Sequence, residues 1–320
     1  MTSIKRQAMG VLPGTLERLK NLYKFNRTRP GQLVQVGIKP HWTMITGSEN
    51  ECGIAGNITG SLPENNTPSG SLEIEQAKKL IGQPLFKIAV TGINSDNLVM
   101  RSLGIAALSA LSQHFLSCSS VRKRGYFSEC WKATDPFILQ YPILSRLVTM
   151  DDVVAVIGRS AEIRDLRGNC RELHVIDPRS PDTFSTLLID SSVRYGSRDL
   201  IIHKEMQDTE ILHKADVIIV NASTLIDGTF EGLMQHSENA RLVGLCGLSG
   251  SLIPDVFFNQ GVDFITSFRI IDPCRFMDAM INEYNMDYSC MTEQKQFLMM
   301  NPSTTAGRPG AQENFSRVSH

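Results

Sequence analysis

The chain has 320 residues, 20% of them charged, and a formal net charge of -1, which excludes a bulk electrostatic case for nucleic acid or an anionic membrane surface. That length accommodates two domains of ordinary size, each able to bury its own core. No apolar run reaches the ~18 residues of a membrane span and the N-terminus lacks the apolar stretch of a signal peptide, so the expectation is a soluble, cytoplasmic protein.

In chain order, residues 15–23 (TLERLKNLY) open on an N-cap residue and repeat Leu16, Leu19 and Leu22 at helical spacing. Pro30-Gly31 breaks that pattern. Residues 33–45 alternate imperfectly, with Pro40 indicating an edge strand or a break between two strands, and 52–59 read as the second half of a hairpin. Residues 61–71 have the composition of a polar loop. A helical pattern runs from 72 to 80, and a longer, more apolar helix covers about 97–116. In its middle Gly104, Ala106, Ala107 and Ala110 are small enough to admit another backbone, which places this helix between layers. Arg101 is the one charge inside it. Either it snorkels outward or pairs structurally, or it anchors an anionic group of a ligand. Residues 117–150 carry no clear period and read as an interdomain connection, with Arg122, Lys123 and Arg124 as a solvated face.

From 151 onward strand and helix patterns alternate at short intervals. Buried-strand runs lie at 152–158, 172–177, 199–203, 217–221, 241–246 and 263–268, with helical segments after Gly228 to about 237, over 251–260 and over 272–284. This alternation predicts an α/β fold, a doubly wound Rossmann-like parallel sheet over 151–290, preceded by a smaller α+β domain over 1–116. Residues 291–320 read as a disordered tail.

In such a sheet, ligands bind at the carboxyl ends of the strands. The candidates there are Gly158 and Arg159, then Asp177, then Asn221, Ala222, Ser223 and Thr224, and finally the turn CGLSGS with Gly247 and Ser249. Asp177 lies 19 residues after Gly158, the spacing at which a carboxylate reaches ribose hydroxyls; it is equally placed to serve as a turn residue before Pro178. A single glycine follows the first strand, so a dinucleotide pyrophosphate is disfavoured, whereas S-adenosylmethionine, which lacks phosphates, escapes that objection. Free backbone N–H groups at the CGLSGS turn favour a carboxylate. Gly247-Leu248-Ser249-Gly250 begins a nucleophile-elbow pattern but its second glycine comes one position early, and Cys246 reads as a core thiol. The seven cysteines form no C-x-x-C and the seven histidines no H-x-x-x-H, so no metal ligands are assigned.

The runs ADVIIVNASTLIDGTFEGLM and ARLVGLCGLSGSLIPDVFFNQGVDFITSFRIIDP resemble the Rossmann-like C-terminal domain of the putative heavy-metal chelation proteins. His41-Trp42-Thr43, Cys52-Gly53-Ile54-Ala55 and the segment from Ser102 to Leu108 resemble that family's enolase N-terminal-like domain. The resemblance covers roughly residues 15–285. It implies a cleft between the two domains, with Ser223, Thr224, Gly228, Thr229, Gly247 and Ser249 at motif positions, and a role in metal or chelator handling. Asp227 stands where the family motif has asparagine, Leu248 where it has proline, and Ser109 where the small-residue helix has asparagine. A carboxylate added at Asp227 favours a cationic substrate group or a metal.

The first expectation is therefore an enzyme using S-adenosylmethionine or a related adenosyl ligand for transfer or cyclisation chemistry. Asp177 holds the ribose, the Asn221–Thr224 loop and the Gly247–Ser249 turn hold the amino-acid end, Asp227 is the candidate catalytic group, and Arg101 and Thr229 contact substrate. The alternative is a binder of a divalent metal or a metal chelate. An NAD-dependent oxidoreductase is the weaker third reading. The partner is a small molecule in each case, and the buried small-residue helix is compatible with a homodimer.

Overall fold

The computed structural model describes residues 9–39, 42–58, 75–132, 144, 147–158, 163, 166–177, 200–204, 209–282 and 294–302. Helix α1 (Val11–Asn26) extends the expected helix at both ends. After it come β1 (Leu33–Ile38), β2 (Trp42–Gly47) and β3 (Cys52–Gly56), an antiparallel three-stranded sheet in the order β1-β2-β3. The turn between β2 and β3 is pinned by Glu51, a fully buried carboxylate that accepts the N–H groups of Gly31 (2.7 Å) and Glu49 (2.9 Å). Helices α2 (Leu85–Ile93) and α3 (Leu98–Ser112) follow. Asn97 caps α3, its Oδ1 accepting from the N–H groups of Val99 and Met100, both at 3.0 Å, which satisfies two of the free donors at a helix start.

The small sheet is covered on both faces. Register pairs Thr46 with Cys52 and Met44 with Ile54, so these four side chains share one face. Met44, Cys52 and Ile54 pack there against Phe276 and Met277. The opposite face, with Ile45 and Ala55, belongs to the main core along α3. On that side the backbones nearly touch. A Cβ on Gly53 would stand 1.9 Å from the Ala106 carbonyl oxygen, and one on Gly92 would stand 2.4 Å from the Gly104 Cα. The small residues of α3 thus admit β3 on one side and α2 on the other, as their sequence pattern requires.

Helix α4 (Cys118–Lys123) leads to β4 (Phe127–Lys132). The chain then builds β5 (Val153–Ile157), β6 (Glu172–Ile176), β7 (Leu200–His203), α5 (Thr209–Lys214), β8 (Val217–Asn221), α6 (Thr224–Asp227), α7 (Phe230–Gln235), β9 (Leu242–Cys246), α8 (Asp255–Asn259), β10 (Phe264–Ile270), α9 (Pro273–Asn282) and β11 (Gln294–Met300). The sheet order is β4-β11-β10-β9-β8-β5-β6-β7. The six strands β7-β6-β5-β8-β9-β10 are parallel, which is the doubly wound order whose direction reverses beside its first strand. Both faces are buried. Val154, Val156, Val217 and Ile219 face one cluster, while Ala155, Ile157, Ile218 and Val220 face the other. Continuous apolar runs in these strands follow from that arrangement.

Three expectations need correction. Residues 117–150 are not only a connection, because β4 lies within them and pairs antiparallel with β11. The tail expected from 291 begins with β11, which pairs antiparallel with β10; residues 303–320 lie outside the described residues, as does the 61–71 loop. The helix expected after Gly228 is α7, and a further short helix, α6, precedes that glycine and ends at it, because Gly228 adopts φ 78°.

The two halves share one core, in which Leu16, Leu103 and Leu111 join Leu225, Phe230 and Phe257. Asp255, at the start of α8, is buried and meets Arg18 Nε of α1 at 2.9 Å and Arg124 Nη1 at 3.1 Å. No helix among the described residues is long and apolar enough to cross a membrane.

Two outcomes follow from this packing. Gly53→Ala forces β3 and α3 apart and should lower unfolding free energy by about 1–3 kcal/mol, read by denaturant titration. Asp152, at the foot of β5, is held by Arg241 Nε (2.8 Å), Arg241 Nη2 and the Thr149 N–H (2.6 Å). Burial alone raises its carboxyl, but the Arg241 and Thr149 bonds outweigh it and hold the group below its ordinary 3.8. A depressed folded-state value stabilises above the unfolded value and is lost as pH falls through the folded one. The stability gap between wild type and Asp152→Asn should therefore be full at neutral pH and close progressively below 3.8.

Candidate functional site

The first strand β5 has β6 on one side and β8 on the other, so a crevice opens at the carboxyl ends of β5 and β8. Gly158 follows β5 with φ 83°, a left-handed conformation that strains other residues. A Cβ there would stand 3.0 Å from Asn221 Cβ at the end of β8. Asn221 folds its side chain over the next turn, Oδ1 accepting from the Ser223 N–H at 2.9 Å. Gly247 follows β9 with φ 116° and ψ 175°, a region that only glycine occupies freely. Its missing side chain leaves Asn221 Oδ1 3.6 Å from where a Cβ would be. Gly158, Asn221, Ser223 and Gly247 therefore come together as expected, and the two glycines keep backbone exposed where side chains would fill the crevice.

Other candidates are committed elsewhere. Thr224 is buried and its hydroxyl donates to the Asn221 carbonyl at 2.8 Å, while Ala222 is fully buried and donates its N–H to the Cys246 carbonyl at 2.7 Å. Ser249 is buried, and its Oγ accepts the N–H of Gly56 at 2.9 Å. Ser102 Oγ donates to the carbonyl of the same Gly56 at 2.7 Å. The end of β3 is thereby held between α3 and the turn after β9, a long-range clasp that no local pattern announces. Asp177 is 1% exposed, with its N–H on the His203 carbonyl. Asp227 is exposed, and its Oδ1 accepts both the N–H (2.9 Å) and the hydroxyl (2.6 Å) of Thr229. Arg159 lies outside the described residues.

Arg101 differs from all of these. It projects from α3 toward the Asp227–Thr229 turn, its guanidinium 3.2–3.6 Å from where a Gly228 Cβ would be. Its Nε is sealed from solvent and has no hydrogen-bond partner. A side chain at 228 would press on its tip and would be strained by the φ of 78°. Among the described residues no group of three or more His, Cys, Asp or Glu side chains is arranged to hold a metal ion. The buried Cys52 thiol is pushed well above its ordinary value by burial, with Cys274 adding to the shift, which suits a core thiol better than a thiolate ligand.

The strand order defines a doubly wound α/β protein that shares its core with an N-terminal α+β unit. Two family models, both described as putative heavy-metal chelation, match residues 144–287 and 25–112, and the chain belongs to that family. Solved structures of proteins of unknown function from Pyrococcus horikoshii and Desulfitobacterium hafniense DCB-2 superpose with TM-scores of 0.62 and 0.61. Each is 19% identical, and the matches cover 91% and 90% of this chain and all of theirs. An uncharacterized protein of Methanocaldococcus jannaschii is 21% identical over 179 residues, 56% of this chain. That alignment spans 58% of the relative's own length. At these identities the solved structures establish the fold.

Removing the clasp tests its weight. Ser249→Ala leaves the Gly56 N–H without its acceptor and should cost about 1–3 kcal/mol of stability, visible as a lowered midpoint in thermal or denaturant unfolding.

Proposed function

We propose that the crevice binds a small polycarboxylate, a metal chelator or the complex it forms with a metal, and that Arg101 takes one of its carboxylates. The observation that carries this is the Arg101 guanidinium, whose buried Nε has no partner. A sealed, unpaired donor on a charged group is costly, and a bidentate carboxylate is the ligand chemistry that fits a guanidinium fork. Gly228 sets no side chain against the guanidinium. The described side chains supply no three-donor set for a heavy metal. In this reading most of the metal's donors come from the bound chelator, in keeping with the family description.

A second reading is S-adenosylmethionine or a related adenosyl ligand, favoured by a doubly wound sheet whose first strand ends at Gly158 without a phosphate-cradling G-x-G-x-x-G. It asks Asp177 for ribose contacts, and the burial of Asp177 leaves that role resting on spacing. Both ligands carry a carboxylate, so Arg101 alone does not separate them.

Calorimetric titration with citrate and nitrilotriacetate, free and nickel-loaded, against S-adenosylmethionine decides the matter. The chelator or chelate should bind, and Arg101→Ala should weaken it by about 1.5–3 kcal/mol, roughly 10- to 150-fold. Chelator affinity unchanged in Arg101→Ala removes the proposal. Binding of the adenosyl compound alone, lost in Asp177→Ala, replaces it with the second reading.

A further inference from the structure

At the outer edge of the large sheet, away from the Arg101 turn, β6 and β7 bring two imidazoles together. Register sets Ile176 opposite His203 and His174 opposite Ile201, so His174 and His203 are diagonal neighbours on one face. Their rings stack with centroids 5.3 Å apart and planes inclined by 27°. His174 Nδ1 lies 3.0 Å from His203 Nε2. On the other side of the His174 ring, Nε2 lies 3.2 Å from Glu172 Oε2. An ionised carboxylate only accepts, so Glu172 draws the His174 proton to Nε2 and leaves a lone pair on Nδ1, turned toward His203.

This carboxylate–histidine arrangement is the one that orients imidazole ligands and raises their basicity in metal sites. The separation of the two ring nitrogens is informative as well. With metal–nitrogen bonds of about 2.0–2.1 Å, two nitrogens at right angles stand about 2.8–3.0 Å apart, and two at the tetrahedral angle about 3.3–3.4 Å. The observed 3.0 Å is the length of an ordinary hydrogen bond between the rings, and it keeps both nitrogens close enough to turn to one ion; imidazole donors suit Cu(II) and Ni(II). Ala155, opposite His174 on β5, keeps that flank small. His203 is half-buried, which leaves a path from solvent, while His174 is buried.

We propose that His174 Nδ1 and His203 Nε2 form a two-imidazole site for a borderline divalent cation of the Cu(II) and Ni(II) class, with Glu172 as the positioning residue for His174. Two protein donors leave coordination positions open, so the ion keeps water or accepts a chelating ligand. A rotation of each ring about its Cβ–Cγ bond turns the two nitrogens from each other to the shared ion. Binding at His203 Nε2 requires that ring's proton to reside on Nδ1, so the ion selects one tautomer of each imidazole. The site does not depend on the anion crevice.

The test uses the tag-free full-length chain, titrated with CuCl2 and NiCl2 by calorimetry, with Cu(II) electron paramagnetic resonance at one equivalent. The expected result is saturable binding with nitrogen hyperfine structure from two imidazoles. His203→Ala, chosen because that ring is half-buried and its loss spares the core, should lower affinity at least 10-fold and reduce the nitrogen coupling to one ring. Glu172→Gln should weaken binding by about 10- to 100-fold. Arg101→Ala should leave the bare-ion titration unchanged, so this site and the crevice stand or fall separately. Absence of nitrogen coupling in wild type, or equal affinity in His203→Ala, overturns the assignment.

Discussion

The arrangement rests on α3 having almost no face left for water. Twelve of its 15 residues are buried, with β3 against one side, α2 against another and the C-terminal helices beyond. A helix enclosed in this way cannot be amphipathic, and it cannot carry bulk where backbones cross. Gly104, Ala106 and Ala110 answer the second demand, each at a point where another backbone arrives. Their hydroxyl-bearing neighbours answer a related one. Ser109 and Ser112 lie at distances of 3.4 and 3.3 Å from the N–H groups of Ile54 and Ile253, so polar groups that the packing removes from water find partners inside it. Arg101, near the helix start, is the exception, its Nε being buried without a partner.

The large sheet contributes geometry and the small unit contributes charge. At the switch between β5 and β8 the sheet offers backbone, an amide and hydroxyls, which can orient a ligand without choosing its sign. Arg101 comes from the N-terminal unit to the Gly228 turn, and that unit is seated on the turn after β9 through Gly56 and Ser249. Neither half alone would hold both the glycine-lined crevice and the guanidinium.

The six parallel strands were legible because burial on both faces writes an uninterrupted apolar run. Strands β4 (FSECWK) and β11 (QKQFLMM) were not. They lie at the antiparallel end of the sheet, where mixed polar and apolar residues are tolerated, and neither run declares a period. Helix α2 escaped notice because nine residues are too few to establish periodicity. At the site, Gly158, Asn221, Ser223 and Gly247 were readable from their place at strand ends. Ser249 was singled out as a ligand contact, yet its hydroxyl is taken by Gly56, 193 positions away, and a separation of that kind has no local signature. His174 and His203 each sit in an ordinary strand pattern, and only the register of β6 on β7 brings them together.

The continuous core and the Gly56 clasp have a kinetic corollary. Clefts between units joined by a linker take their ligands by hinge closure, and part of the binding energy is consumed in ordering the closed form. Here the walls are fused through α3 and through the pairing of Asp255 with Arg18 and Arg124. A ligand site between such walls would be preorganised, so related ligands would enter it at similar rates and differ mainly in how long they stay.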